Sequence, residues 1–263
     1  VASSLERLGI GKGDRVAILA YHCIEWVMTD LACLKLGAVI VPLYHTLTPP
    51  AVQYILNDSA CKLVFAANQE LFGVIDAVRS EVPSLERAVV FDWKDLGEEK
   101  DFVRFRDLVE GDLEMDGTDR EDERLEGTGS TDGLPSISKD DPATIVYTSG
   151  TTGHPKGVIL SHGNILFNAF SLMRRFDVGP GDEFLSFLPL CHMLERACGY
   201  YTMLFAGATI TYAEGVSTIV NDVQEIRPTI IIVVPRIVEK IYEAVEQRVM
   251  EAPLLRRKLV LAA

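Results

Sequence analysis

At 263 residues, 48% hydrophobic and 24% charged, the chain is long enough for one large core or two smaller ones. No apolar run approaches the ~20 residues that span a bilayer, and the opening VASSLERLGIGKGDRV has no basic stretch leading into an apolar one, so neither a membrane span nor a secretory signal is expected. The formal net charge is −13, yet residues 92–141 alone hold 18 Asp+Glu against 7 Lys+Arg, a net of −11 that leaves −2 for everything else; with no basic stripe or aromatic platform, nucleic acid is excluded as a partner.

In chain order, Ser4–Leu8 reads as the end of a helix, the glycine-rich stretch after it as a turn, and Arg15–Ala20 as a short apolar strand. Ile24, Val27, Met28, Leu31 and Leu34 recur at helical spacing up to Gly37, a C-cap candidate. Ala38–Leu43 is a strand. Thr48 ahead of Pro49 and Pro50 then opens a helix as a hydroxyl N-cap, with Val52, Ile55 and Leu56 on its buried face. Cys61–Ala66, Gln69–Ser80 and Arg87–Phe91 follow as strand, helix and strand, an alternation that indicates a parallel sheet with right-handed crossovers. From Asp92 to Asp141 charge dominates, and GTGSTDG at Gly127–Gly133 has linker composition, so a solvated connector is expected there.

Beyond it, Thr144–Tyr147 is a strand, and Ser161–Phe176 a helix with Ile165, Leu166, Ala169 and Leu172 on one face. Glu183–Leu188, Ala208–Tyr212 and Pro228–Val234 read as strands; Leu194–Phe205, Ser217–Ile226 and Arg236–Met250 read as helices. The expected fold class is α/β, with a first lobe over 1–91, an acidic insertion over 92–141 and a second lobe over 142–263.

The stretch with the most chemistry is Tyr147–Gly157, YTSGTTGHPKG, directly after the apolar run Ala143–Val146. Gly150, Gly153 and Gly157 alternate with the hydroxyls of Thr148, Ser149, Thr151 and Thr152, and Lys156 follows Pro155. Glycines let backbone N–H groups approach a ligand closely, and successive N–H groups make an anion-binding concavity. Hydroxyls add donors, and the lysine adds a mobile cation for phosphate oxygens. A Walker loop would need lysine directly after glycine and a hydroxyl directly after lysine; here Lys156 stands between Pro155 and Gly157, so that reading fails on spacing. A polyphosphate cradle behind a buried strand remains.

YTSGTTGHPKGVILSHGN resembles the phosphate-binding signature of the acyl-adenylate-forming superfamily: acyl-CoA synthetases, luciferases and peptide-synthetase adenylation domains. FLPLCHMLERACGYY (Phe187–Tyr201) and VVPRIVEKIY (Val233–Tyr242) are similar to segments of long-chain fatty acyl-CoA synthetases. The resemblance spans nearly the whole chain and is weakest over 92–141. It implies the large N-terminal domain of an AMP-forming long-chain fatty acid:CoA ligase, built from two parallel-sheet lobes and incomplete here. By resemblance, Thr148, Ser149, Gly150, Thr151, Thr152, Gly153 and Lys156 bind the ATP phosphates, and Thr148 contacts Mg2+. Lys156 and His192 are the catalytic candidates. His192, Glu195, Gly199, Tyr200 and Pro235 are candidates for binding substrate, the last three bordering an acyl tunnel. Glu195, one turn after His192, is expected to orient its imidazole. Fatty acid, ATP and CoA are the implied small-molecule partners, and members of the long-chain group are often peripheral to membranes.

Five cysteines, Cys23, Cys33, Cys61, Cys191 and Cys198, include no C-x-x-C pair, so neither a disulfide framework nor a zinc site is expected and a reducing cytoplasm fits. Cys191 beside His192 raises a Cys/His nucleophile as a further candidate. No Y-G-x-T-E segment, ribose-binding aspartate motif or lysine-bearing small domain is present. The expectation is therefore a fragment with little synthetase activity alone. Two alternatives are a ligase for a medium-chain or aryl carboxylate, and a non-catalytic nucleotide- or acyl-binding module.

Overall fold

The computed structural model describes residues 1–94, 102–111, 135–148, 154–213, 215 and 218–251. Its first part alternates helix and strand: Ala2–Arg7 (α1), Arg15–Leu19 (β1), Ile24–Leu36 (α2), Val39–Leu43 (β2), Pro49–Asp58 (α3), Leu63–Asn68 (β3), Gln69–Asp76 (α4) and Arg87–Asp92 (β4). Side chains alternate across the strands, and both faces are buried. Val16, Ile18, Ile40, Leu63, Phe65 and Val89 pack with α1 and α2 on one side; Ala17, Leu19, Val41, Leu43, Val64 and Val90 pack with α3 and α4 on the other. Burial on two faces is why these strands read as unbroken apolar runs.

The helix ends follow local chemistry. Gly37 closes α2 in the left-handed region at φ 70, where a Cβ is disfavoured. The Asn68 side chain accepts the Leu71 N–H at 3.0 Å to start α4. Thr48 holds the N-cap position of α3 in an extended conformation, but its hydroxyl makes no capping bond, so the two prolines set that helix start. The buried face of α2 also differs from the apolar spacing: Ile24 and Leu31 are exposed, while Trp26, Thr29 and Asp30 are buried. Asp30 goes inside because a buried arginine meets it.

Part of the acidic segment is structured. Val103–Arg104 (β5) pairs in parallel with β4, and Phe105–Glu110 (α5) buries Phe105 and Leu108 in the first core. The Ser4 hydroxyl donates to the Leu108 carbonyl at 2.6 Å. Aromatic and aliphatic residues among the charges account for the difference from a purely solvated connector. The GTGSTDG stretch lies outside the described residues.

Pro142–Thr148 (β6) joins the first sheet beside β2, and Lys156–Ser161 (β7) folds back antiparallel to β6. The sheet thus runs β5-β4-β3-β1-β2-β6-β7. Strands from both sides of residues 92–141 share this one sheet, whereas the sequence suggested a separate unit on each side. The exposed backbone edge of β2 is what β6 pairs with. β7 is a strand that the sequence reading missed: it placed Lys156 and Gly157 in the loop, Ser161 at the start of the next helix, and no element over 158–160.

A second sheet, β10-β8-β9, is wholly parallel: Glu183–Ser186 (β8), Thr209–Tyr212 (β9) and the short Ile230–Ile231 (β10). His162–Phe176 (α6) opens with a capping box between Ser161 and Asn164. Leu194–Tyr201 is a π-helix that continues as Thr202–Ala206 (α7), where one α-helix was expected. Ile219–Ile226 (α8) and Pro235–Glu251 (α9) complete the described chain.

Candidate functional site

β6 delivers Thr148 to the C-terminal end of the first sheet, where ligands of parallel α/β sheets commonly bind. Ser149, Gly150, Thr151, Thr152 and Gly153 lie outside the described residues. Two limbs flank them. On β6, Tyr147 donates its hydroxyl to Asp58 Oδ2 at 2.6 Å; burial, followed by that carboxylate, pushes the phenol pKa up. On the return limb, His154 stacks on Tyr54 with centroids 5.1 Å apart, and Tyr54 donates to the Pro155 carbonyl at 3.3 Å. Both limbs therefore rest on α3. Thr148 and Lys156 are register partners across the hairpin, so the hydroxyl and the ammonium stem sit at one end of it. Lys156 is exposed.

A cavity of about 560 Å3 opens at this strand end. Val146, Tyr147, Thr148 and Pro155 form one wall; Cys191, His192 and Met193 form another; Pro42 comes from β2, and Tyr44 and Leu47 from the β2–α3 connection. Thr148 and His192, 44 positions apart in sequence, thus meet in one cavity. Tyr44 and its neighbours were not singled out from the sequence. The signal available was position: they follow the C-terminal end of a parallel strand.

His192 is exposed, and its Nδ1 accepts the Leu194 N–H at 3.2 Å. A ring nitrogen that accepts cannot carry the proton, so the neutral imidazole holds it on Nε2. This corrects the expected role of Glu195, which does not orient the ring. Glu195 is buried, accepts the Ser186 hydroxyl on Oε1 at 2.6 Å and leaves Oε2 without a partner. The π-helical register turns it inward to β8. Burial pushes its carboxyl up to about 7, against the Ser186 hydrogen bond, which pulls it down.

Gly199 is buried against Phe184, whose Cζ would lie 2.8 Å from an added Cβ. Tyr200 is fully buried edge-on to Trp26 with centroids 6.5 Å apart. Pro235 is exposed at the start of α9. None of Glu195, Gly199, Tyr200 or Pro235 lines the cavity at His192. A second, apolar cavity of about 360 Å3 is walled by Leu172 and Phe176 of α6, Cys198 of the π-helix, Thr202 and Met203 of α7, and Ile230–Ile232.

The Cys191 thiol is buried, and burial pushes it up to about 12. It stays protonated, which removes it as a nucleophile at neutral pH. All five cysteines are free. Among the described residues, no cluster of three His, Cys, Asp or Glu could hold a metal ion, and no helix is long and apolar enough to cross a membrane. The hydroxyl of Thr148 is a hard oxygen donor suited to Mg2+ that otherwise takes phosphate oxygens and water, so the donor set fits a nucleotide-borne cation.

Over residues 1–262 the chain matches the family described as AMP-binding enzyme. Long chain acyl-CoA synthetase 7, peroxisomal, of Arabidopsis thaliana is 30% identical over 267 residues, taking in 98% of this chain and 36% of that protein. A long-chain-fatty-acid-CoA ligase (FadD1) from Archaeoglobus fulgidus superposes with a TM-score of 0.74 at 23% identity, covering 94% of this chain and 45% of that one. ATP-bound MatB from Rhodopseudomonas palustris superposes with a TM-score of 0.67 at 24% identity, covering 88% of this chain and 41% of that one. The chain spans 36% of the Arabidopsis relative's length. With a match from end to end, the chain belongs to the AMP-binding enzyme family.

Proposed function

We propose that this chain supplies the phosphate-binding and carboxylate-activating end of an AMP-forming long-chain fatty acid:CoA ligase. The observation that carries the reading is the convergence of Thr148, at the head of the glycine-rich loop, with His192 in one cavity at the sheet end. Membership in the AMP-binding family, the similarity to the Arabidopsis long chain acyl-CoA synthetase and the ATP bound to the MatB neighbour support it.

In this reading the fatty carboxylate oxygen attacks the α-phosphorus of ATP, forming the acyl-adenylate and releasing pyrophosphate; the CoA thiol then displaces AMP. Lys156 and the amides and hydroxyls of residues 148–153 hold the β- and γ-phosphates and neutralise charge that grows on the leaving pyrophosphate. Mg2+, held by Thr148 and phosphate oxygens, adds further charge neutralisation when bound. His192, which lines the cavity, is the donor this reading assigns to the reacting carboxylate and α-phosphate. The apolar cavity between α6, α7 and β10 supports an aliphatic acyl tail as the substrate class. Cys198 of the π-helix is among its lining residues, which supports a place for that helix beside the acyl path.

The test is carboxylate-dependent exchange of labelled pyrophosphate into ATP by the protein that carries this chain, run with palmitate, octanoate and benzoate. Preference for palmitate supports the reading. Preference for benzoate or octanoate moves it to another carboxylate, and exchange with none of them leaves a binding module instead of a ligase.

A further inference from the structure

We propose that Arg196 is a positioning residue for this site: it sets the spacing between the β6 wall, where Thr148 stands, and the turn that carries His192. The geometry of this inference is independent of the ligase reading; its effect on turnover rests on that reading.

Arg196 belongs to the π-helix and is completely buried. Its backbone bonds to the turn that bears His192, and its guanidinium bonds to β6, the strand that bears Thr148. The Arg196 amide donates to the His192 carbonyl at 3.0 Å, closing the turn on which His192 sits. Its Nη1 donates to Thr144 Oγ1 at 2.8 Å, and Thr144 in turn donates to the Ile40 carbonyl of β2 at 2.7 Å. Thr144, Val146 and Thr148 share one face of β6 by two-residue alternation, and the last two line the cavity. One side chain therefore ties the strand that presents Thr148 to the segment that presents His192.

The other end of the fork is fixed as well. Nη2 pairs with Asp30 Oδ1 of α2, whose Oδ2 accepts the Tyr201 hydroxyl at 2.7 Å. The Trp26 and Tyr201 rings lie 5.1 and 5.5 Å from the guanidinium carbon. A planar fork with two separate acceptors, packed between aromatic faces, fixes direction as well as distance, which an ammonium could not do. A π-helix in the segment that bears the site fits the same purpose, since its wider register aims Arg196 at β6 while Glu195 faces β8.

Thr144→Val removes the Nη1 acceptor at nearly constant volume and leaves the Arg196–Asp30 pair in place; Thr144→Ser keeps the hydroxyl. Val64→Ala, on the opposite face of the sheet, serves as a control for loss of stability alone. Two readouts are taken in the same protein: 15N resonances of the His192 ring, and kcat and KM for palmitate-dependent pyrophosphate exchange. Thr144→Val is expected to shift the His192 ring nitrogens and lower kcat by about tenfold or more, with KM for ATP little changed; Thr144→Ser restores both, and Val64→Ala moves neither. Unchanged His192 resonances in Thr144→Val, or the same kcat loss in Val64→Ala, would overturn the proposal. If the unsubstituted protein exchanges no pyrophosphate with any acid, the ligase reading falls while the His192 resonances still decide the positioning claim.

Discussion

Glu195 is the residue whose environment departs furthest from what its sequence neighbours suggest. It sits one turn from His192, yet faces Ser186 and keeps one carboxylate oxygen unpartnered in the interior. Desolvation is the larger effect on its carboxyl, raising it from 4.5 to about 7. The sign follows from linkage. Between those values the folded protein holds a proton that the unfolded chain releases, so this group's contribution to stability is complete below pH ~4.5 and is lost as pH rises to ~7. Glu195→Gln, which keeps an acceptor for Ser186, should flatten that part of the stability curve and raise stability at pH 8 on the order of 3 kcal/mol. Thermal melts of both proteins from pH 4 to 8 check this; parallel curves would show that Glu195 is ionised at neutral pH. The inward turn was invisible in the sequence because spacing of three residues implies a shared face only in an α-helix, and this segment is π-helical.

Elements with a single dominant period were legible: β1 to β4, α6 and α9 lie close to where apolar spacing put them. The elements that differed did so for reasons outside local pattern. β7 was hidden because Val158, Ile159 and Leu160 are a short apolar run directly behind Pro155 and Gly157, with Val158 and Ile159 both exposed, so the run has no polar–apolar alternation to read. The strand expected over 228–234 is reduced to β10, since the Thr229 hydroxyl donates to Asp182 Oδ1 at 2.8 Å and accepts the Glu183 N–H at 3.0 Å, and Pro235 opens the next helix. α5 was masked by the charges around it. Its place in the first core predicts that Leu108→Ala, at a fully buried position, costs about 2–5 kcal/mol, measurable as a lower denaturant midpoint. A cost under about 0.5 kcal/mol, the range of surface changes, would mean that α5 is not part of the core. Gly199→Ala tests the π-helix in the same way: a methyl 2.8 Å from Phe184 Cζ forces a buried ring to move, and overpacking of this kind costs about 1–3 kcal/mol.

At the scale of the molecule, α2, β6 and the π-helix are held together by a buried polar cluster of Asp30, Arg196, Thr144 and Tyr201. No local signal in the sequence links Asp30 to Arg196 across 166 positions; the pairing belongs to the tertiary fold, which brings α2 and the π-helix together. Asp30→Ala leaves a guanidinium buried without its counter-charge and should cost about 3–5 kcal/mol, seen as a single cooperative shift in denaturant unfolding. The proposed role of YTSGTTGHPKG, in contrast, rests on chemistry that is contiguous in the sequence; what the sequence alone left out was the second wall, which chain topology brings to Thr148 from His192 and Tyr44. Whether those walls enclose an adenylation site is decided most directly by pyrophosphate exchange in the Lys156→Ala variant of the protein that carries this chain, with circular dichroism as a check on the fold. A native spectrum with exchange reduced about a hundredfold or more is the expected result; a native spectrum with unreduced exchange would contradict the assignment of Lys156 and of the loop to ATP.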